Sequence, residues 1–382
     1  MGKLTKYFQN WWTRDVDYWS LACIFVITCF GYILMLAASP AVAIRIGAPA
    51  HLFIIKQTGF LIAGWILMIS VALLPPRIVL KCAFVGTALG ILATAYTLFH
   101  GMDIKGARRW IDLPIMSIQP SEFLKPCFAV TLGWILSLCK PTSSFHVQLK
   151  CWGMAGGLFL LIACLLVAQP DIGMLCVIAG ILAIEFFIDG ISLAFCGIIT
   201  ATGAFFLFLA FELLPHVHSR IERFIHPKNG DHYQVDMSLR AIRNGGAWGM
   251  GPGEGEVKNL LPDAHADFIF AVAGEEFGLI LCLILISLFA FLIIRILLSL
   301  IKKEQKWEIL TAAGLISGFG FQACVNIAST INLIPTKGMT LPFISYGGSS
   351  VLSVGLTLGM LLSIARRPII IDAFSGTPSE RN

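Results

Sequence analysis

Three stretches of this chain hold residues whose types and spacing could do chemistry. The first, residues 101–126, reads GMDIKGARRWIDLPIMSIQPSEFLKP. Lys105, Arg108 and Arg109 crowd Trp110, a pattern suited to a membrane surface. Ser121 is the expected N-cap of an apolar helix. Glu122 falls in its first turn, where the helix dipole favours an anion, and Lys125 shares its face. A Glu–Lys pair entering a bilayer is expensive unless the two face each other or a polar cavity. The segment therefore reads either as an interfacial anchor with a structural ion pair or as a cationic lining for a phosphate head group.

The second stretch, 214–267, is polar, and its end leads into an apolar run. Residues 233–244, YQVDMSLRAIRN, place Val235, Leu239 and Ile242 on one stripe, which predicts a short amphipathic helix lying on the membrane with a basic flank from Arg240 and Arg243. Six glycines follow within residues 245–255, enough for a hinge or a close backbone approach but without the spacing of a nucleotide-binding loop. His216, His218, His226 and His232 share the loop without a metal-ligand spacing. Residues 260–278, LLPDAHADFIFAVAGEEFG, then place Asp267 at the opening of a long apolar helix. Ala271, Gly274 and Gly278 lie near its stripe, where small residues let another helix or a lipid chain approach. Glu275 and Glu276 fall deeper, and three carboxylates in one membrane helix are too costly to be idle. The third stretch, LIPTKGMTLPFISYGGSS at 333–350, predicts a rigid non-helical turn that serves structure or a site equally well, with Ser349 and Ser350 as caps of the last span.

One interfacial carboxylate among many cations is asymmetric equipment. Hydrolysing a glycoside uses two carboxyl groups, one of them protonating a poor leaving group. A sugar carried on a lipid pyrophosphate leaves without an acid, because pyrophosphate is a weak base whose growing charge cations can stabilise. One general base on the attacking hydroxyl then suffices. A transporter of an anionic amphiphile would want the same residues. No G-x-S-x-G elbow or H-E-x-x-H motif is present.

The elements that position these residues are apolar spans. Of 382 residues, 57% are apolar and 13% charged, about half of the ~25% usual for soluble domains. That balance excludes an ordinary soluble enzyme and a disordered chain, and a net charge of +5 gives no support to nucleic-acid binding. Runs of about 20 apolar residues fall near 18–38, 52–73, 78–99, 121–139, 152–168, 172–188, 191–213, 267–298, 308–331 and 347–365. The expectation is an all-α polytopic membrane protein of ten transmembrane helices. The domains are a cytoplasmic tail at 1–17, a membrane domain at 18–367 with a large extracytoplasmic loop at 214–266 between helices 7 and 8, and a cytoplasmic tail at 368–382. The first run is long for a signal peptide and is read as a retained helix. The positive-inside bias is weak and sharpens once the long loop is set aside. The 11 cysteines lie in or beside apolar runs and read as small core residues.

KGARRWI at 105–111, QPSEFLKP at 119–126, QPDIG at 169–173, YQ at 233–234, the run from Gly245 to Gly278, and PTKGMTLPFISYGGSS at 335–350 together resemble the SEDS family of FtsW and RodA membrane proteins. The resemblance covers roughly residues 15–367, and AASPAVA at 37–43 with GPGEGEVKNLLPD looks more like the division-site branch. It implies a ten-span enzyme of the bacterial inner membrane that polymerises lipid II into glycan strands at the septum and releases undecaprenyl pyrophosphate. On it, Asp267 matches the catalytic aspartate. Arg109, Gln119, Glu122, Lys125, Asp171, Tyr233, Gln234, Arg243, Lys258, His265 and Lys337 are the implied substrate-binding residues. A divalent cation (Mg or Mn), a class B penicillin-binding protein such as FtsI, other divisome proteins and membrane lipid are implied as cofactor and partners. Ala266 departs from the usual threonine and Asp263 from the common glutamate. A lipid II flippase and a non-catalytic divisome scaffold remain alternatives.

Overall fold

A computed structural model describes residues 17–104, 107–114, 116–139, 145–191, 233–336 and 338–366, with positions 197 and 212. Among the described residues, nine apolar helices coincide with nine of the ten expected spans. They are α1 (Tyr18–Arg45), α2 (Leu52–Leu73), α3 (Pro76–His100), α4 (Pro120–Ser137), α5 (Phe145–Ala168), α6 (Ile172–Asp189), α8 (Ile269–Leu300), α9 (Lys306–Thr330) and α10 (Gly348–Ile364), with the shorter α7 (Tyr233–Gly245) before α8. The expected seventh span and the four loop histidines lie outside the described residues. Seven of the helices are long and apolar enough to cross a bilayer on those grounds alone, and the chain is a multi-pass membrane protein. Alternation is absent because both turns of such a helix face either lipid or apolar neighbours, so the helices are recognised by length and not by a polar face.

Three features differ from the sequence expectation. First, strands stand between α3 and α4, where the apolar runs predict helices alone. They form a small antiparallel sheet of β1 (Met102–Ile104), β2 (Ala107–Asp112) and β3 (Ser117–Ile118), paired Ile104 to Ala107 and Ile111 to Ile118. Short strands between two helix ends satisfy backbone groups that apolar periodicity does not reveal. Second, α7 does not simply lie on the membrane. It buries Val235, Met237, Ser238, Ala241 and Gly245, and Ser238 Oγ donates to the Thr330 carbonyl of α9 at 2.7 Å. Its contact with α8 needs glycine at 245 and is tight at 274. A Cβ on Gly245 would lie 1.9 Å from the Gly274 carbonyl oxygen, and one on Gly274 would lie 3.0 Å from Ile242. Third, Cys139 and Cys151 form a disulfide between the end of α4 and the first turns of α5, so these two are not simple core thiols.

The main core runs through all nine long helices. A second, smaller core lies toward the loop end. It joins Ala38 and Val42 of α1, Met237 and Ala241 of α7, Leu261 and Ala264 of the connecting turn, and Phe268, Ala271 and Val272. At the opposite end, Asp17 and Arg295 form a two-pronged ion pair, with Nε at 3.0 and 2.7 Å from the two carboxylate oxygens. This arrangement ties α1 to α8. Burial is the largest single influence on the carboxyl and pushes its pKa up, but Arg295 and the Ser20 hydrogen bonds together hold it below its ordinary range.

Helix α8 is broken at Gly278, where φ is +76°. Only glycine enters that region without strain, and a Cβ there would lie 2.4 Å from the Ala247 carbonyl oxygen. The glycine-rich loop docks on the break: Met250 N and Gly251 N donate to the Glu275 and Glu276 carbonyls at 2.9 and 3.0 Å, and Leu279 N donates to Gly246 O at 2.9 Å. The two deep glutamates hold the next turn. Glu275 accepts from Val257 N and Lys258 N, both at 2.8 Å, and Glu276 pairs with the Lys258 ammonium, which also donates to Gly253 O at 3.1 Å. These carboxylates are structural, and their ligands come from the protein itself.

Removing one member of a buried ion pair strands the other charge, at a cost of about 3–5 kcal/mol. Lys258→Met should lower thermal stability in detergent by that order, and Lys258→Met combined with Glu276→Leu should recover most of it. Equal losses in the single and double variants would show that the pair's charge is not what holds the loop.

Candidate active site

A polar cavity of about 840 Å³ opens among β2, the starts of α4, α6 and α10, the turn before α8 and the 336–350 segment. Its floor is built from the ends of helices, where backbone groups lack intrahelical partners. Asp171 is the N-cap of α6, with Oδ1 accepting from Met174 N at 3.3 Å. Gln119 Nε2 donates to Asp171 Oδ2 at 2.9 Å. Arg109, reaching down from β2, donates through Nε to the Gln169 carbonyl at 3.1 Å and also to the Pro170 carbonyl, and its Nη1 lies 3.6 Å from Asp171 Oδ1. Gln169 Nε2 is bonded to Thr94 O at 3.0 Å and to the Thr97 hydroxyl. The Gln-Pro-Asp turn is thus clamped between β2, α3 and α4.

Helix α4 begins at Pro120 with Gln119 as its N-cap, two residues earlier than the Ser121 cap expected. Glu122 and Lys125 do not pair with each other within 4 Å. Glu122 Oε2 accepts from Ser349 Oγ of α10 at 2.6 Å, and its carbonyl accepts from Ser353 Oγ at 2.6 Å. Lys125 donates to Gln322 Oε1 of α9, and Gln322 Nε2 donates to the Thr340 carbonyl at 3.0 Å. Each charge has found a neutral polar partner on a different helix, so the couple joins α4, α9 and α10 beneath the cavity.

Asp267 stands half-buried in the cavity wall. It lies in a turn two residues before α8, whose N-cap is Phe268, and not on the helix as its sequence position suggested. The turn is fixed through its main chain. Asn326 Nδ2 of α9 donates to the Asp267 carbonyl at 2.9 Å and to Met339 O at 2.6 Å. Ser345 Oγ donates to Ala266 O at 2.6 Å and accepts from Leu341 N at 2.8 Å. Tyr346 N donates to His265 O at 2.9 Å. Gly338, at φ +62°, brings the 336–350 segment so close that a Cβ on it would lie 3.4 Å from Asp267 Oδ2. A hydroxyl at position 266 is not needed to orient the aspartate, since Ser345 and Asn326 hold the turn.

Of the residues singled out from sequence, Arg109, Gln119, Glu122, Asp171, Gln234 and Asp267 line one cavity. Lys125 lies directly behind it through Gln322. Lys258 does not reach it, being 5% exposed and held by Glu276. Tyr233 donates to Leu260 O at 3.2 Å from an exposed position, and Arg243 is exposed on α7. Lys337 lies outside the described residues. Lys56, Asp112, Asp263, Gln322 and Thr340 also line the cavity. Gln322 carried a legible signal, as a lone amide in an apolar span; Asp112 and Thr340 carried none.

His265 is buried, not in the cavity lining, and packed between Phe53 and Tyr346 with ring centroids 4.6 and 5.1 Å away. Burial pushes its pKa down to about 4, against a smaller opposing pull from Asp263. The folded ring is therefore neutral while the unfolded one takes a proton below its ordinary 6.5. Stability from this group is complete above pH 6.5 and falls as pH drops toward 4, by about 3 kcal/mol at ~1.4 kcal/mol per pH unit. Thermal unfolding in detergent should lose stability across that window in the wild type, and the slope should flatten in His265→Phe. An unchanged slope in the variant would assign the acid sensitivity elsewhere.

The sequence pattern of the cell cycle protein family (FtsW, RodA, SpoVE) matches residues 18–368. A probable peptidoglycan glycosyltransferase FtsW from Caulobacter vibrioides is 39% identical over 94% of this chain and 90% of its own length. The corresponding FtsW of Coxiella burnetii is 34% identical over 93% and 96%. Among solved structures, a chain from a peptidoglycan synthase complex that coordinates polymerization and crosslinking superposes with a TM-score of 0.76 at 24% identity, covering 92% of this chain and 97% of that one. The rod shape determining protein RodA of Thermus thermophilus gives 0.68 at 22%, covering 93% and 98%. The two structures share the fold, and the matched sequence carries the relationship further: the chain belongs to the cell cycle protein family of FtsW, RodA and SpoVE.

Proposed function

We propose that this protein is a peptidoglycan glycosyltransferase that polymerises lipid II during cell division. The observation that carries the reading is Asp267, a carboxylate held in the wall of a polar cavity by main-chain bonds from Asn326 and Ser345. In this reading the cavity opens to the outside of the inner membrane at the septum, and both termini are cytoplasmic. Asp267 accepts the proton of the acceptor sugar's 4-hydroxyl as that oxygen attacks the anomeric carbon of the donor. The bond from that carbon to the pyrophosphate oxygen breaks, and undecaprenyl pyrophosphate leaves. The curated relatives named as FtsW glycosyltransferases support this assignment.

The family resemblance also implies a divalent cation, Mg or Mn. Among the described residues no three His, Cys, Asp or Glu side chains converge to hold an ion. Mg²⁺ commonly needs only one or two carboxylates when substrate phosphates and water complete its shell. Asp112 and Asp263 line the same cavity as Asp267 and would supply the protein's oxygen ligands in that mode. A bound ion would neutralise charge on the pyrophosphate. Lys56 lines the same cavity and adds a positive charge of the protein's own.

A class B penicillin-binding protein such as FtsI is the proposed partner, with other divisome proteins and membrane lipid around it. The similarity to a chain from a peptidoglycan synthase complex supports a partner of that kind. Flipping lipid II would call for polar groups through the full membrane depth. Glu275 and Glu276 are engaged by the glycine-rich loop, which favours catalysis over transport.

Asp267→Asn should abolish glycan polymerisation from purified lipid II while leaving protein level and lipid II binding intact. A loss of at least a hundredfold is expected for removing a general base. Retained polymerisation would take Asp267 out of the mechanism. No polymer from the wild type with its partner present, together with lipid II crossing sealed vesicles, would favour the flippase.

A further inference from the structure

One buried carboxyl group has no place in the cavity or in the loop clamp. Glu185 lies on α6, fourteen residues beyond Asp171 and so about 21 Å along the helix from the cavity floor. It is 0% exposed, and neither carboxyl oxygen has a hydrogen-bond partner. It presses on α9, where a Cβ at Gly314 would lie 1.9 Å from Oε1. Thr311 Oγ1, one turn earlier on α9, is also buried without a hydrogen-bond partner, and Gly133 of α4 closes on it. Two partnerless polar groups therefore share the seam of α4, α6 and α9.

The charged groups around this seam are engaged elsewhere. Lys306 of α9 lies 2.5 Å from Asp189 Oδ1 and donates to the Cys139 carbonyl at 2.7 Å. Trp152 of α5 donates to Asp189 Oδ2 at 3.2 Å. Glu308 pairs with Lys303 at 2.9 Å. Glu122 and Lys125 of α4 are bonded to Ser349 and Gln322 at the far end. His146 and Lys150 are on the first turns of α5. Glu185 makes no ion pair within 4 Å, and the Lys306 cation nearby is already taken by Asp189, one turn on.

We propose that Glu185 is an intramembrane proton-binding site, a carboxylic acid held neutral in the seam of α4, α6 and α9. An ionised carboxylate buried without a counter-charge is far more costly than the neutral acid. The site is independent of the role of Asp267 and lies at the other end of the bundle. A neutral acid in an apolar seam is open to an apolar carbodiimide arriving through lipid. The acid oxygen bonds the central carbon, its proton goes to one nitrogen, and nothing leaves. An acyl shift to the other nitrogen then gives a stable N-acylurea of the same mass.

The test uses the full chain in phosphatidylethanolamine–phosphatidylglycerol vesicles, beside Glu185→Gln and Glu185→Met. Infrared spectra at pH 7 should show a protonated-carboxyl C=O band that shifts in D₂O and is missing from both variants. Dicyclohexylcarbodiimide should add one equivalent on the α6 peptide at Glu185, and a water-soluble carbodiimide should not. Both variants should keep polymerisation within about twofold, since one neutral group replaces another. Identical infrared bands in the wild type and both variants would overturn the proposal. Equal labelling by the water-soluble reagent would also overturn it, because Glu185 would then be hydrated.

Discussion

The carbonyl oxygens of Ala266 and Asp267 sit where no helix can take them, at the edge of an apolar bundle, and the cavity is arranged around satisfying them. Unpaired backbone groups are tolerated at membrane depth only where protein or a water-filled space supplies partners. Here Ser345 and Asn326 supply them. Ser345 is in turn held through its own carbonyl by Gln57 of α2 at 3.2 Å. The segment that carries it is locked by Phe343, which is buried at φ +59° and stacked on Trp65 at 6.4 Å. A bulky residue in that left-handed region is strained. Its neighbours over-determine it: α1 comes so close at Gly31 that a Cβ would lie 2.4 Å from the Phe343 carbonyl oxygen. The position of one carboxylate thus depends on α1, α2, α9 and the 336–350 segment at once.

The same bookkeeping of buried groups changes the meaning of the cations. The family resemblance implies Arg109 and Lys258 as substrate-binding residues. In the fold, Arg109 closes the Gln-Pro-Asp turn and Lys258 neutralises Glu276. Lys125 serves a third helix through Gln322. A charge inside a membrane protein is affordable only with partners nearby, and a partner made of protein is always present, whereas substrate is not. The cavity lining combines carboxylates, amides and hydroxyls with Arg109 and Lys56.

Nine of the helices were legible because a bilayer demands about 20 apolar residues and leaves little else to decide. The convergence of Arg109, Gln119, Glu122, Asp171, Gln234 and Asp267 was legible through motif resemblance alone. Nothing in their spacing brings residues 109 and 267 to one wall. Residues 102–118 hid a sheet because its strands run two to six residues, too short for alternation to stand out. The amphipathic α7 was recognised, but its face meets α8. The reason lies in Gly245 and Gly274, whose fit is a tertiary fact that neither residue announces. Asp267 itself was placed one element too far along, since α8 starts at Ile269 and an apolar run does not mark its own first turn.

Gly278 shows how the two halves of this architecture meet. An unbroken α8 of 32 residues would span about 48 Å, well beyond a hydrocarbon core of about 30 Å. The break divides it into a lower helix tied to α1 by Asp17 and Arg295 and an upper one tied to the loop by Glu275 and Glu276. Carbonyls freed at the break are taken by amides of residues 250 and 251, so the loop and the kink stabilise each other. Because the upper piece begins two residues after Asp267, any tilt of it would move the carboxylate. The loop clamp on Glu275 and Glu276 therefore acts on the site from two turns away, without touching what binds there.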